Sequence, residues 1–220
     1  VCWSFLFVII LLAVSKRMGF FLQQSKRLLQ DRRNSLLLLG ASVLISINWL
    51  TYIWAVNSGR IVETSIGYYT NPLMSVLLGV AVFHEHLSRG KMVSLILAGI
   101  GIANMIWSFG QVPWVAVILA TTFAVYGAVK KTLHMDPMVS ILLETLLVLP
   151  LALAYIFYLT AVGQSNFFMA LPTAVLLIGS GIVTAVPLML FSRGANLLPL
   201  NVLGFTQYLA PTIALCIGVF

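Results

Sequence analysis

Charge is what this sequence has least of. Asp31, Glu63, Glu85, Asp136 and Glu144 are its five acidic residues; charged side chains make up 8% of the chain and hydrophobic ones 61%. A soluble domain needs roughly a quarter charged residues to cover its surface, so this composition excludes one and implies an integral membrane protein. Cysteine is scarce as well. Cys2 and Cys216 lie inside apolar runs with no neighbouring His or Cys, which excludes a disulfide framework and a cysteine-based metal site. His84-Glu85-His86 is the densest group of metal-ligand types, but residues two apart on a helix point about 200° apart, and no second cluster exists, so neither metal nor cofactor is expected. Scattered histidines and so few carboxylates do not make a catalytic cluster, and no enzyme is expected. The chain has no nucleotide-binding motif, which excludes an ATP-driven pump unless another chain supplies the motor. No cleavable signal peptide is expected, since Val1 opens directly into an apolar run and the charges follow it.

Long apolar runs are what the chain has in abundance. Stretches near the roughly 20 residues needed to cross a bilayer occupy 1–15, 36–56, 61–83, 92–108, 112–129, 138–159, 171–192 and 200–220. About eight spans of an all-α membrane protein are therefore expected, the short first run and the apolar end reading as the edges of a fragment. The net charge of +7 does not point to nucleic acid, because the basic residues sit in the gaps between runs. Lys16, Arg17, Lys26, Arg27, Arg32, Arg33, Arg89, Lys91, Lys130, Lys131 and Arg193 fall on one side and Arg60 alone on the other. By the positive-inside rule the basic side is cytoplasmic, and Trp107 and Trp114 flank an uncharged outer turn as interface anchors. The basic stretch 16–33 reads as a cytoplasmic loop or a surface helix attracted to anionic lipid.

Two prolines organise the rest. Pro72 lies mid-way along 61–83 and Pro211 mid-way along 200–220. Proline has no N–H and collides with the carbonyl four residues back, so each is expected to interrupt its helix and free the carbonyl of Tyr68 or Gln207 at mid-membrane depth. An offset of 139, the difference between 211 and 72, also aligns Asn57 with Asn196, Tyr69 with Tyr208, Gly79 with Gly218 and Val80 with Val219. The same offset leaves one helix unmatched in each half. Completing both gives five plus five, and an odd number per repeat forces opposite orientations, so the full protein is expected to be an inverted-repeat bundle of ten transmembrane helices. Proline-interrupted segments at corresponding positions of two repeats mark the binding site of a transporter.

Polar residues gather on and beside those segments. Thr64, Tyr68, Asn71 and Ser75 share a stripe at helical spacing; Ser42, Ser46 and Trp49 form another, with Asn48 and Tyr52 beside it. Thr122 pairs with Tyr126, and Ser180, Thr184 and Pro187 line up in the seventh run. Ser and Thr are ordinary helix-packing material in membranes, worth about 0.6 kcal/mol per hydrogen bond. Larger polar groups need a partner in hydrocarbon, so Asn48, Trp49, Tyr52, Tyr68, Asn71, Tyr126 and Gln207 are the expected substrate-binding residues, with Pro72 and Pro211 as helix breaks. Their aromatic faces suit an aromatic or amphipathic solute, or a cation. Glu144 lies about 9 Å into its span and is a candidate proton-coupling group. Arg60 and Glu63 are spaced to pair on one helix face at the outer mouth.

The run WAVNSGRIVETSIGYYTNPLMSVLLGVAVFHEHLSRGK, from Trp54, closely resembles the fourth-helix region of the RarD family, a branch of the EamA group in the drug/metabolite transporter superfamily. PWVAVILATTFAVYGAVKK from Pro113, ETLLVLPLALAYIF from Glu144 and GFTQYLAPT from Gly204 agree with it, so the resemblance covers nearly the whole chain. A departure is His84, where relatives tend to carry a small or apolar residue ahead of the Glu. The resemblance implies residues 1–108 as a first EamA-type repeat without its first helix and 112–220 as a second without its last. It also implies a multi-pass permease of the bacterial inner membrane, and it places the helix of Glu144 at the bundle's periphery. The expected activity is secondary transport of a small organic solute by alternating access; a passive pore or scaffold is the alternative, and a membrane-embedded enzyme a more distant one. Expected partners are the solute and the lipid bilayer, with a homodimer as the candidate assembly and no nucleic acid.

Overall fold

A computed structural model of the chain describes residues 1–163 and 171–219, the side chains of 214, 215, 218 and 219 excepted. The sequence matches at Gly218 and Val219 therefore lie outside the described side chains. Every described element is a helix: α1 (Cys2–Val14), α2 (Met18–Gln30), α3 (Arg32–Asn57), α4 (Ile61–Phe83), α5 (Arg89–Phe109), α6 (Trp114–Leu133), α7 (Pro137–Ala161), α8 (Leu171–Leu197), α9 (Leu200–Gln207) and α10 (Leu209–Val219). Six of these, α3 to α8, are long and apolar enough to cross a bilayer, or seven spans if the α1–α2 pair, bent by 118°, is taken as one. Large apolar residues stand exposed along them, Leu50 at 69%, Leu176 at 74% and Val183 at 74%. In water such surfaces would drive association; in lipid they are the solvent-matched face.

The two prolines behave differently. Pro72 does not interrupt its helix: α4 is continuous from Ile61 to Phe83 with Pro72 buried inside it. Only the hydrogen bond to the Tyr68 carbonyl is lost, and packing on both sides of α4 keeps the rest of the helix in register. The last run, by contrast, splits into α9 and α10 at Tyr208. Pro211 cannot bond the Gln207 carbonyl; the helix instead restarts at Leu209, which puts Pro211 in a first turn, where a missing N–H costs nothing.

The scarce carboxylates are spent at helix starts. Asp31 accepts the N–H groups of Arg33 (3.0 Å) and Asn34 (3.3 Å) in the first turn of α3. Asp136 accepts those of Met138 (3.1 Å) and Val139 (3.4 Å) in α7. Glu63 reaches Val115 N–H at 3.3 Å in α6, and Glu85 reaches the first two N–H groups of α9. The first N–H groups of a helix have no partner within it and carry the positive end of its dipole, so an anion there satisfies both needs. Glu144 lies buried inside α7.

The chain forms two compact units, each drawn from both halves of the sequence. In the unit made of Val1–Ser42 and Leu133–Arg193, Val8, Leu12, Ile141, Leu142 and Ala185 form a core, with Phe5, Phe21 and Met138 against it. Arg17 closes that unit's basic end on Asp136 at 2.9 Å. The unit made of Val43–Thr132 and Gly194–Phe220 is built on the packing of α4 against α9 and holds most of the candidate site.

Candidate functional site

Glycine lets α4 and α9 touch backbone to backbone. A Cβ on Gly204 would stand 2.8 Å from Val76 Cγ2 and 2.9 Å from the Pro72 carbonyl oxygen; one on Gly79 would stand 2.6 Å from Glu85 Oε2 and 2.9 Å from Asn201 N. Small residues at such a crossing are how helices approach closely in lipid. The approach sets the two stretches singled out by their prolines face to face. Asn71 Nδ2 donates to Gln207 Oε1 at 2.7 Å, and Tyr69 OH donates to the Pro211 carbonyl at 3.4 Å. The remaining amide atoms, Asn71 Oδ1 and Gln207 Nε2, are buried and have no partner among the described residues, and the same holds for the Tyr208 hydroxyl one residue on. Buried polar atoms left unsatisfied cost roughly 1–3 kcal/mol each, so their persistence calls for a role.

The other expected site residues divide. Trp49, Tyr52 and Tyr68 form an aromatic series, with ring centroids 6.5 Å apart for the first pair and 5.7 Å for the second, both edge to face. Tyr68 keeps an exposed face and sits one turn before Asn71 on α4. Asn48 is committed elsewhere: its Nδ2 donates to the Leu119 carbonyl at 2.9 Å and to Thr122 Oγ1 at 2.8 Å, which fastens α3 to α6. Tyr126 is completely buried, with Phe123 beside it and Lys130 Nζ 5.4 Å from its ring centroid. Asn48 thus holds α3, which carries Trp49 and Tyr52, against α6, whereas Asn71 and Gln207 each keep a buried polar atom without a partner among the described residues.

Sequence reasoning missed Glu85. Its Oε1 accepts Leu200 N–H at 2.6 Å, its Oε2 accepts Asn201 N–H at 2.7 Å, and Lys131 Nζ lies 3.3 Å from Oε1. Lys131 also donates to the Leu198 carbonyl at 2.7 Å, and Lys91 Nζ to Asn201 Oδ1 at 3.1 Å. This network anchors the start of α9, and the far end of α9 is Gln207. The turn that aims Glu85 is encoded locally: His84 takes a left-handed conformation (φ 52°), and Glu85 N–H returns to the Gly79 carbonyl at 3.1 Å, closing α4. A carboxylate just past an apolar run in so acid-poor a chain was the available signal. Its partner lies 115 residues away in sequence, which no local pattern reveals.

Glu63 plays a matching part at the other end of α4. Beside its bond to Val115 N–H it meets Arg60 Nη1 at 3.2 Å, and Arg60 lies 5.1 Å from the Trp54 ring centroid. The Arg60–Glu63 pair expected from spacing is present, but its arginine is half exposed and contributes little by itself.

Glu144 belongs to the other unit. It is 4% exposed and accepts Ser140 Oγ at 2.9 Å, one turn back on α7. Thr145, its neighbour, donates instead to the carbonyls of Ile141 and Leu142. Among the described residues no three His, Cys, Asp or Glu side chains gather as a metal-ligand set.

Comparison with known proteins adds the family. The EamA-like transporter family matches residues 1–107. The chain is 42% identical to the "Uncharacterized transporter YojE" of Bacillus subtilis, over all of this chain and 73% of that one. It is 39% identical to Protein RarD of Salmonella typhi, over 100% and 74% of the two chains. To Protein RarD of Escherichia coli K12 it is 36% identical, over 100% and 73%. No solved structure matches the chain.

Proposed function

The chain is a RarD-like member of the EamA-like transporter family, and from that premise we propose that it is a secondary carrier binding its solute between Asn71 and Gln207. The observation that carries the reading is the single hydrogen bond between those amides, with an acceptor on one and a donor on the other buried and unused. A solute able to hydrogen-bond satisfies both atoms, with Tyr68, Tyr52 and Trp49 offering aromatic faces to its apolar part. In alternating access, α9 and α10 shift against α4 and open the pair to one side and then the other. The split at Tyr208 supplies the joint, and the ends of α4, tied by Glu63 and Glu85, act as the two stops. The basic side faces the cytoplasm of a bacterial inner membrane.

Counterflow in vesicles containing the full-length protein tests this. Asn71→Leu and Gln207→Leu should each abolish solute exchange while membrane insertion is retained. Exchange at the wild-type rate in both variants removes the site from this pair. Net flux without counterflow points instead to a pore.

Glu144 is a carboxylate buried inside an apolar helix, and we propose it as the proton-coupling group. Glu144→Gln should leave counterflow at equal pH on both sides intact but uncouple uptake from an imposed proton gradient. A gradient response equal to that of the wild type ends the coupling role.

A further inference from the structure

The corner between α2 and α3 has no part in the proposed transport site, and we infer that it is a binding site for the headgroup of an anionic phospholipid. α2, which leads into this corner, turns away from α1 by 118°, so with α1 taken along the membrane normal α2 runs closer to the plane of the bilayer than to its normal. One strip of α2 is fixed on its own unit: Leu28 is buried, and Phe21 packs against the core that includes Leu142 and Leu12. The adjoining strip is uncovered, with Leu22 62% and Leu29 78% exposed, two turns apart, and exposed Lys26 on the same face between them. An amphipathic helix with that geometry lays its free apolar strip among acyl chains at headgroup depth.

Charge then selects the lipid. Lys26, Arg27, Arg32 and Arg33 surround the corner, all exposed, and none has an ion-pair partner among the described residues. Asp31, the acid at their centre, has both oxygens engaged: Oδ1 accepts Arg33 N–H and Asn34 N–H, and Oδ2 accepts Asn34 Nδ2 at 2.8 Å. Ser35 Oγ donates to the Leu28 carbonyl at 2.8 Å, so the end of α2 and the start of α3 are tied in one geometry. By contrast Arg17, immediately before α2, is consumed by Asp136. Four unpaired cations on a fixed corner, bordered by Leu22 and Leu29 that seat acyl chains, match a phosphate-bearing lipid rather than a soluble anion, which has no use for the apolar strip.

Nanodiscs of phosphatidylethanolamine with a minor fraction of phosphatidylglycerol, loaded with the full-length protein, provide the test. Lipids retained by the protein are counted by native mass spectrometry. Wild type should enrich phosphatidylglycerol roughly tenfold over its bulk share. Lys26→Gln/Arg27→Gln and Arg32→Gln/Arg33→Gln, each of which keeps most of the basic residues that set orientation, should remove most of that enrichment. Arg193→Gln should not change it. Leu22→Ser/Leu29→Ser, which leaves the charges alone, should also lower it. Enrichment unchanged in both charge pairs, or lost equally in Arg193→Gln, overturns the site. Displacement of phosphatidylglycerol by millimolar glycerol phosphate overturns the lipid assignment in favour of a free-phosphate site.

Discussion

Replacing Glu85 with Ala should destabilise the protein by about 3 kcal/mol, measured as thermal or denaturant unfolding of the purified full-length protein in detergent. Two N–H groups at the start of α9 would lose their acceptor, and Lys131 would lose its anion in a place where its side chain is 19% exposed. Removing one member of a buried charged pair costs about 3–5 kcal/mol, and the low end applies because Lys131 keeps the Leu198 carbonyl. Glu85→Gln separates the contributions: its single carbonyl oxygen can still accept one N–H but carries no charge, so it should fall between wild type and Ala. Lys131→Met should cost less than Glu85→Ala, and the double variant Glu85→Ala/Lys131→Met should cost less than the sum of the two, because the second change removes a charge that has already lost its partner. Strict additivity would mean that the pair does not interact. Glu85→Ala should slow exchange as well, since α9 places Gln207 opposite Asn71.

The second large effect is at Gly204. A methyl group there has backbone on one side of it, the Pro72 carbonyl at 2.9 Å and Val76 N at 3.1 Å, and backbone cannot swing away as a side chain can. Gly204→Ala should therefore lift α9 off α4 at an overpacking cost of about 2 kcal/mol. Gly204 and Gln207 are three apart on one helix, so the displacement passes directly to the Asn71–Gln207 bond. Exchange should fall at least about tenfold, the equivalent of roughly 1.4 kcal/mol lost at the site. Gly194→Ala is the control. Its nearest obstacle is the tip of Leu203 at 3.0 Å, a flexible group, and exchange should be nearly unaffected. Equal losses in both variants would show that the α4–α9 crossing has no special hold on the site.

Much of this arrangement was legible in the residues alone. Apolar run length located six of the spans, because a bilayer imposes one length on every helix that crosses it. Pro72 and Pro211 pointed to the stretches that meet, and Asn71 and Gln207 stood out because large amides in hydrocarbon need a reason. Pro72 shows where local reasoning stops. A proline withdraws one hydrogen bond, but whether the helix breaks depends on what packs around it, and here Gly204 of a distant segment packs over its carbonyl. Asn48 looked like Asn71 in sequence but fastens α3 to α6, a distinction made by neighbours rather than by residue type. Glu85 was hidden for the same reason. Its neighbours in sequence gave it no role, and its partners are two backbone amides and a lysine far along the chain.

The division of the last span at Tyr208 also bears on how the protein is made. At 1.5 Å per residue α9 is about 12 Å long and does not by itself reach across a hydrocarbon core of about 30 Å. A nascent chain leaving the translocon cannot partition α9 into lipid on its own merits. α9 should therefore enter lipid only together with the segment that follows it, once α4 is in place to receive it.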